Sequence, residues 1–369
     1  MRIGFVALTD AASVLMAEEL GLYADRGLRV ALVRQPSWPA LRDRLVAGEL
    51  DAAHGLYSMP LSIAAGITGA PGQRLPVAMV LSVNGQAITL RTGLAGAGYG
   101  SPARAGTALA AAGGEARVTL ATTYPGGTHD VWLRYWLRAA GVDPAAVDIV
   151  PIPPPQMVAH LRAGAIDGYS AGEPWNAVAV QEAIGFTAIA SQDIWPHHPE
   201  KALLVNPAFA RGRRDELAAA MGAILAAGAW LDDMGNRRRA ARAISRASWV
   251  DAPASAIEGR MTGRYEIGVG LGRRAFPDTP MLFHRGGLAN PPRRRDAIWF
   301  LAQYQRLGLV RGALDHAAIA DDLLMRDLYA DVAAAEGVAV PGDDMEPFTV
   351  ALDGALFDPR RPEDEAARP

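Results

Sequence analysis

Leu45-Val46-Ala47-Gly48-Glu49-Leu50-Asp51-Ala52 returns as Leu161-Arg162-Ala163-Gly164-Ala165-Ile166-Asp167-Gly168, 116 positions further along the chain. Each copy reads as the end of a helix, a glycine that stops it, an aspartate and the start of a strand. A proline follows each a few residues on, Pro60 and Pro174. With this matching context the repeat predicts two similar α/β lobes. Upstream of the first copy, Arg2 to Leu8 reads as a buried strand and Asp10 is placed to cap a helix through Val14, Leu15, Met16 and Leu20. Gly21 and Gly27 end that helix, Leu28 to Val33 is a second strand, and Pro39 sits in the first turn of the next helix. This is the alternation of a mostly parallel sheet.

Between the two copies, the apolar run Val77 to Leu90 is broken at Asn84-Gly85-Gln86, as expected of a strand leaving one lobe and entering the other. A return crossing is expected near Ala202 to Val205, and two crossings make a hinge. The expected organisation is a first lobe at 1–87, a second at 88–202, and a return to the first at 203–340 through helices at 215–247, 295–307 and 315–335. The tail 341–369, rich in Pro, Asp and Glu, is expected to be partly disordered, above all in its last ten or so residues.

At 369 residues and 38.9 kDa the chain suits two domains. Half its residues are hydrophobic and a fifth charged, with mean hydropathy +0.07, which excludes global disorder. A net charge of −3 supplies no field for nucleic acid, and the arginine triplets 237–239 and 293–295 are expected on helix surfaces. No direct nucleic-acid or membrane partner is expected, since no run approaches the roughly 18 apolar residues of a membrane span. Zero cysteines remove disulfides, thiolate metal sites and cysteine nucleophiles without choosing a compartment. The opening residues form a strand and no secretory leader, so with Met1 as the natural start the expected location is the cytoplasm.

Several enzyme signatures are missing. A P-loop needs Gly-Lys-Ser/Thr, but the chain has one lysine, Lys201, between Glu200 and Ala202. Gly96 to Gly100 and Gly268 to Gly272 lack the strand-to-helix setting of a dinucleotide loop and read as ordinary loops. His197, His198 and Glu200 are three potential metal ligands within four residues and lack a fourth, so no metal or other cofactor is expected.

The remaining signals point to an anion. Thirty-five arginines accompany the single lysine, and a compact ammonium at position 201 suits an anion in a small closed cavity better than a wide guanidinium does. Tyr124-Pro125-Gly126-Gly127-Thr128-His129-Asp130 lies between a strand at 117–122 and a helix at 131–139. Glycines at such a turn let backbone N–H groups face a ligand at a helix N-terminus, with His129 beside them. Ser170-Ala171-Gly172-Glu173-Pro174 is a similar turn, from which Gly172 can offer its amide to the same cleft.

The chain then resembles a known family. Gly4 to Asp10, Ser37-Trp38 with Arg42-Asp43, Ala53-His54-Gly55 through Met59-Pro60, Asn84-Gly85-Gln86, the YPGGTHD run into Trp132 to Leu137, Gly172 to Asn176 and His198 to Lys201 are similar, in order, to the nitrate-binding members of the nitrate/bicarbonate solute-binding family of ABC transporters. The resemblance runs from residue 3 to about 310. It implies an α/β, two-lobed periplasmic-binding-protein fold of the second type, with the ligand cleft between the lobes. Carried over residue by residue, it implies Trp38, Gln86, His129, Gly172 and Lys201 around the anion.

Nitrate is planar, has three acceptor oxygens and gives no proton, so a selective pocket is expected to hold donors only, as those five residues do. Bicarbonate carries an O–H that wants an acceptor, and in the sister branch its recognition involves calcium. Lys201 therefore favours nitrate, with nitrite as the other acceptor-only candidate. Without a leader or anchor linker in its sequence, the chain most resembles the cytoplasmic nitrate-sensor branch, which implies a response-regulator-type, RNA-binding antiterminator as partner, held by the ligand-free sensor and released by the anion. The alternative is an extracytoplasmic nitrate-binding transport component whose leader was removed. An enzyme on the same scaffold, as in thiamine-pyrimidine biosynthesis, would need a nucleophile or metal set that the five residues do not provide.

Overall fold

Among the residues described by the computed structural model (1–114, 117–342 and 344–369), ten strands build two five-stranded sheets. They are β1 (Arg2–Val6), β2 (Ala31–Gln35), β3 (Ala52–Leu56), β4 (Val77–Val83), β5 (Gln86–Arg91), β6 (Thr119–Thr122), β7 (Asp148–Pro151), β8 (Gly168–Gly172), β9 (Gly185–Ala190) and β10 (Pro199–Val205). The first sheet has the order β2-β1-β3-β10-β4 and the second β7-β6-β8-β5-β9. In each sheet the first three strands are parallel, and the fourth, β10 or β5, runs against both its neighbours.

The eight-residue repeat sits at the same place in both sheets. Gly48 and Gly164, at φ 74 and 69, end the helices Trp38–Val46 and Met157–Arg162. Asp51 then accepts a hydrogen bond from the backbone N–H of Arg2 at 2.6 Å, as Asp167 does from Thr119 at 2.9 Å. Each aspartate thus ties its own strand to the start of the neighbouring one. This shared role explains why the aspartate stands in both copies.

The chain crosses between sheets at Asn84-Gly85, both at positive φ, and again between Ala190 and Pro199. The boundaries drawn from sequence at 87/88 and 202/203 fall inside β5 and β10. Asn84 binds the crossings together, accepting from the His197 backbone N–H at 2.8 Å and donating to the Pro280 carbonyl at 2.9 Å.

The region 215–247 is helical almost throughout, as two helices, Arg214–Asp232 and Met234–Ile244, bent by 115°; Asp233 caps the second by accepting from Gly235 N–H. Two expectations are corrected. Arg237 is not on the surface. It is fully buried, donating to the Leu231 and Met281 carbonyls at 2.6 Å and pairing with Asp232 at 3.0 Å, so its charge is satisfied by the ends of the elements it joins. Residues 254–276 are not confined to the first lobe. The helix Ala254–Met261 lies against the helix Met234–Ile244 of the first, where Arg238 pairs with Glu258 at 3.4 Å, and with the ribbon after it also reaches the second, where Arg260 lies 3.4 Å from Glu173 and bonds Thr187 at 2.9 Å.

Near its end the acidic tail also forms a helix where disorder was expected. Helix Pro362–Ala366 docks on helix Arg294–Arg306, with Gln303 donating to buried Glu365 at 2.6 Å. Glu365 is balanced there by two arginines of the same chain, Arg306 and Arg368. Among the described residues no single helix is long and apolar enough to cross a membrane.

Candidate functional site

All six parallel strands of the two sheets lead, at their C-terminal ends, toward the seam between the lobes, the usual position of a ligand in an open α/β sheet. Asp10 follows β1, Trp38 follows β2, Tyr57 follows β3, His129 follows β6 and Gly172 ends β8, while antiparallel β5 and β10 begin there with Gln86 and with Glu200-Lys201. The five residues drawn from the sequence are therefore brought together from both lobes. Trp38, Gln86, His129 and Lys201 are all buried.

Lys201 is central. Its Nζ lies 2.7 Å from Asp10 Oδ2, touches Glu200 Oε1, and stands 5.6 Å from the centre of the Trp38 ring. Adjacent residues of a regular strand point to opposite faces. The register of β10 against β4 shifts on both sides of Lys201, and this bulge lets the Glu200 and Lys201 side chains meet. On the first lobe, His54 Nε2 bonds Asp10 Oδ1 at 2.8 Å, and its ring packs 5.8 Å from Trp38. From the second, His129 Nε2 reaches within 3.4 Å of Glu200 Oε1 while its Nδ1 bonds Thr123 Oγ1 at 2.7 Å. Gln86 Nε2 donates to Thr128 Oγ1 at 3.2 Å, and Gln86 lies opposite Gly172 in the sheet.

Gly172 lies where the two lobes face each other. A Cβ there would stand 3.2 Å from Asp10 Oδ2 and 3.5 Å from His129 Nε2, so only glycine leaves the seam undisturbed. Thr9 N–H donates to the Glu173 carbonyl at 2.8 Å and Trp175 Nε1 to the Ala7 carbonyl at 3.0 Å, pinning the end of β1 to the end of β8. An aromatic seam closes one side. Trp132 lies 5.3 Å from Trp299, and Trp195 stacks on Phe348 at 4.3 Å.

The reading of the glycine-rich turn is corrected. The N–H of Gly126 donates to Asp130 Oδ2 at 2.8 Å, and that of Gly127 to the Tyr124 carbonyl at 2.9 Å. These amides serve the turn itself, and Gly126 is required by its φ of 66. The donor-only pocket is corrected as well, because Asp10 and Glu200 bring two carboxyl groups into it. Asp10 was read as a helix cap, yet its side chain caps nothing and faces Lys201 and His54. The available signal was an acid set between an apolar strand and an apolar helix.

The electrostatics separate the two acids. Burial works to raise the pKa of Asp10, but Lys201 and His54 outweigh it and hold the carboxyl below its usual range. Glu200 is pushed up to about 8 by burial, with Asp10 adding to the effect and Lys201 opposing it, so it keeps its proton at neutral pH. Burial works to lower the pKa of Lys201, yet the two acids outweigh it and raise it. Burial and the Lys201 charge keep His129 neutral. The cluster thus carries one ammonium, one carboxylate, one neutral acid and neutral imidazoles. Trp38 Nε1 and His129 Nε2 are buried without a hydrogen-bond partner, a state that buried polar atoms seldom tolerate. Among the described residues no His, Asp and Glu group has the arrangement of a metal site.

Two sheets of matching order, strands crossing between them and a polar cluster at the seam define a two-lobed solute-binding protein of the periplasmic-binding-protein fold. The chain superposes on the crystal structure of the periplasmic nitrate-binding protein NrtA from Synechocystis PCC 6803 with a TM-score of 0.93, covering 99% of this chain and 97% of that one at 31% identity. It is 33% identical to the nitrate/nitrite binding protein NrtA of Synechococcus elongatus, over 98% of this chain and 84% of that protein. The bicarbonate-binding protein CmpA of the same organism is 25% identical over 98% of this chain and 85% of its own length. Residues 1–245 match the NMT1-like family, and the chain belongs to it. The relatives it matches along most of their own length, the NrtA proteins and CmpA, are binding proteins by name.

Proposed function

We propose that this chain binds nitrate or nitrite in the cleft between its lobes through Trp38, Gln86, His129, the Gly172 backbone and Lys201. The observation that carries the reading is the convergence of these groups from both lobes on one buried cluster in which Trp38 Nε1 and His129 Nε2 have no hydrogen-bond partner. Its relatives, which include nitrate/nitrite binding proteins, support the same ligand. Charge-assisted hydrogen bonds contribute about 1.5–3 kcal/mol each, and desolvation and closure offset much of that sum, so a dissociation constant in the micromolar range, about −8 kcal/mol, is expected. Titration calorimetry with nitrate, nitrite and bicarbonate tests this; tighter binding of bicarbonate than of nitrate overturns it.

The finer reading rests on the sequence resemblance: a cytoplasmic nitrate/nitrite sensor that holds a response-regulator-type, RNA-binding antiterminator and lets it go when the anion closes the lobes. Linkage requires only that the partner prefer the open form and the anion the closed one. A second reading, an extracytoplasmic nitrate-binding component of an ABC transporter, is favoured by relatives such as the periplasmic NrtA. Pull-down of the antiterminator with and without nitrate separates the two. A complex dissolved by nitrate supports the sensor. Indifference to nitrate rejects it, and recovery of the protein from the periplasmic fraction supports the transport component.

A further inference from the structure

Asp10 and Lys201 cancel each other's charge, so the cluster offers an entering anion no net positive charge. Glu200 stands between that pair and the second lobe. One of its oxygens touches Lys201 and lies 3.4 Å from His129, while Oε2 is buried with no hydrogen-bond partner. If ionised, it would oppose both Asp10 and a bound anion in a space closed to water. We propose that Glu200 takes part in anion recognition as the neutral acid, donating its carboxyl proton to the oxyanion, so that the cleft accepts a small monoanion together with a proton on Glu200 and releases it when that proton is lost.

This rests on the reading of the cleft as an oxyanion site and adds to it a specificity-determining residue. The titratable or charged groups around Glu200 are Asp10 after β1, His54 on β3, His129 on the facing helix, and His198 and Lys201 on its own segment, with Thr128 the neighbouring hydroxyl. Buried Glu173, paired with Arg260, lies one layer beyond. The histidines are depressed, the lysine and Asp10 hold their charges, and Glu200 alone changes state just above neutrality. A neutral acid also sharpens selection, since it donates to a bare oxygen acceptor, whereas a carboxylate there would repel it.

The test is calorimetric titration of the full chain with sodium nitrate and sodium nitrite from about pH 6.5 to about pH 9.5, in buffer pairs of differing ionisation enthalpy. The Kd is expected to be flat up to about pH 7.5 and then to rise toward tenfold per pH unit above about pH 8, with about one proton taken up per anion near pH 9. Glu200→Gln keeps an N–H donor and is expected to bind with no such slope and no uptake. A flat wild-type profile, the absence of proton uptake, or a wild-type slope in Glu200→Gln overturns the proposal. If the variant does not fold, proton uptake by the wild type decides alone. Failure of both anions to bind at pH 6.5 overturns the oxyanion reading itself, a result distinct from binding without a pH slope.

Discussion

Lys201 Nζ stands 2.7 Å from Asp10 Oδ2, and the pair is wholly buried where the two lobes meet. The only lysine of the chain is thus held by a carboxylate of the first lobe at the point where that carboxylate faces Gly172 of the second. Its geometry is that of a point charge with three donors, one used on each acid and one left over.

Lys201→Ala should therefore lose nearly all anion binding, roughly 2–5 kcal/mol, because it removes a charged partner from a desolvated site. Lys201→Arg should lose most of it as well, since a planar guanidinium does not fit between Asp10, Glu200 and the Trp38 ring. Calorimetry distinguishes this from a simple charge requirement, under which arginine would restore binding.

Asp10→Asn removes the carboxylate that balances the Lys201 charge, leaving Glu200 as the remaining acid beside the ammonium, while the amide oxygen can still accept from His54 Nε2. Breaking a buried pair from one side costs about 3–5 kcal/mol, so the urea midpoint of the ligand-free variant should fall. Added nitrate should then recover more stability than it gives the wild type, because the anion supplies the missing negative charge. Equal gains in the two proteins would show that Asp10 does not compensate Lys201.

Glu200 also makes a stability prediction. Its folded pKa, about 8, lies above the ordinary 4.5, so the folded state holds a proton that the unfolded chain has lost. That contribution is complete below about pH 4.5 and disappears as pH rises through about 8. The depressed histidines act only below about pH 6.5. Between about pH 6.5 and 8, ligand-free stability should fall by up to about 1.4 kcal/mol per pH unit, and Glu200→Gln should flatten the slope. Urea denaturation across that range reads it directly.

Tyr135 links the lobes through the tail, donating to Asp353 at 2.8 Å and accepting from Arg368 at 2.7 Å. Tyr135 belongs to the second lobe, whereas the tail docks on helix Arg294–Arg306 of the first. Tyr135→Phe should cost about 1 kcal/mol and, if that is lost from the closed form, weaken the anion about fivefold. Unchanged affinity with lowered stability would assign the tail to folding alone.

Much of this architecture was legible before any tertiary contact was known. The repeat at 45–52 and 161–168 revealed two like lobes because the same aspartate-to-neighbour hydrogen bond is needed at the same strand edge in each. The break at Asn84-Gly85 marked the first crossing because left-handed backbone favours those residues, and Lys201 stood out against thirty-five arginines. Such features are local, and local chemistry is written in neighbouring residues. The tertiary structure alone decided that Asp10 faces Lys201 and that the bulge in β10 turns Glu200 into the same cluster. It also decided that Arg237 is buried and that the tail docks on helix Arg294–Arg306. Each of these depends on charges from distant segments finding one another inside a low-dielectric interior, and no spacing along the chain records that meeting.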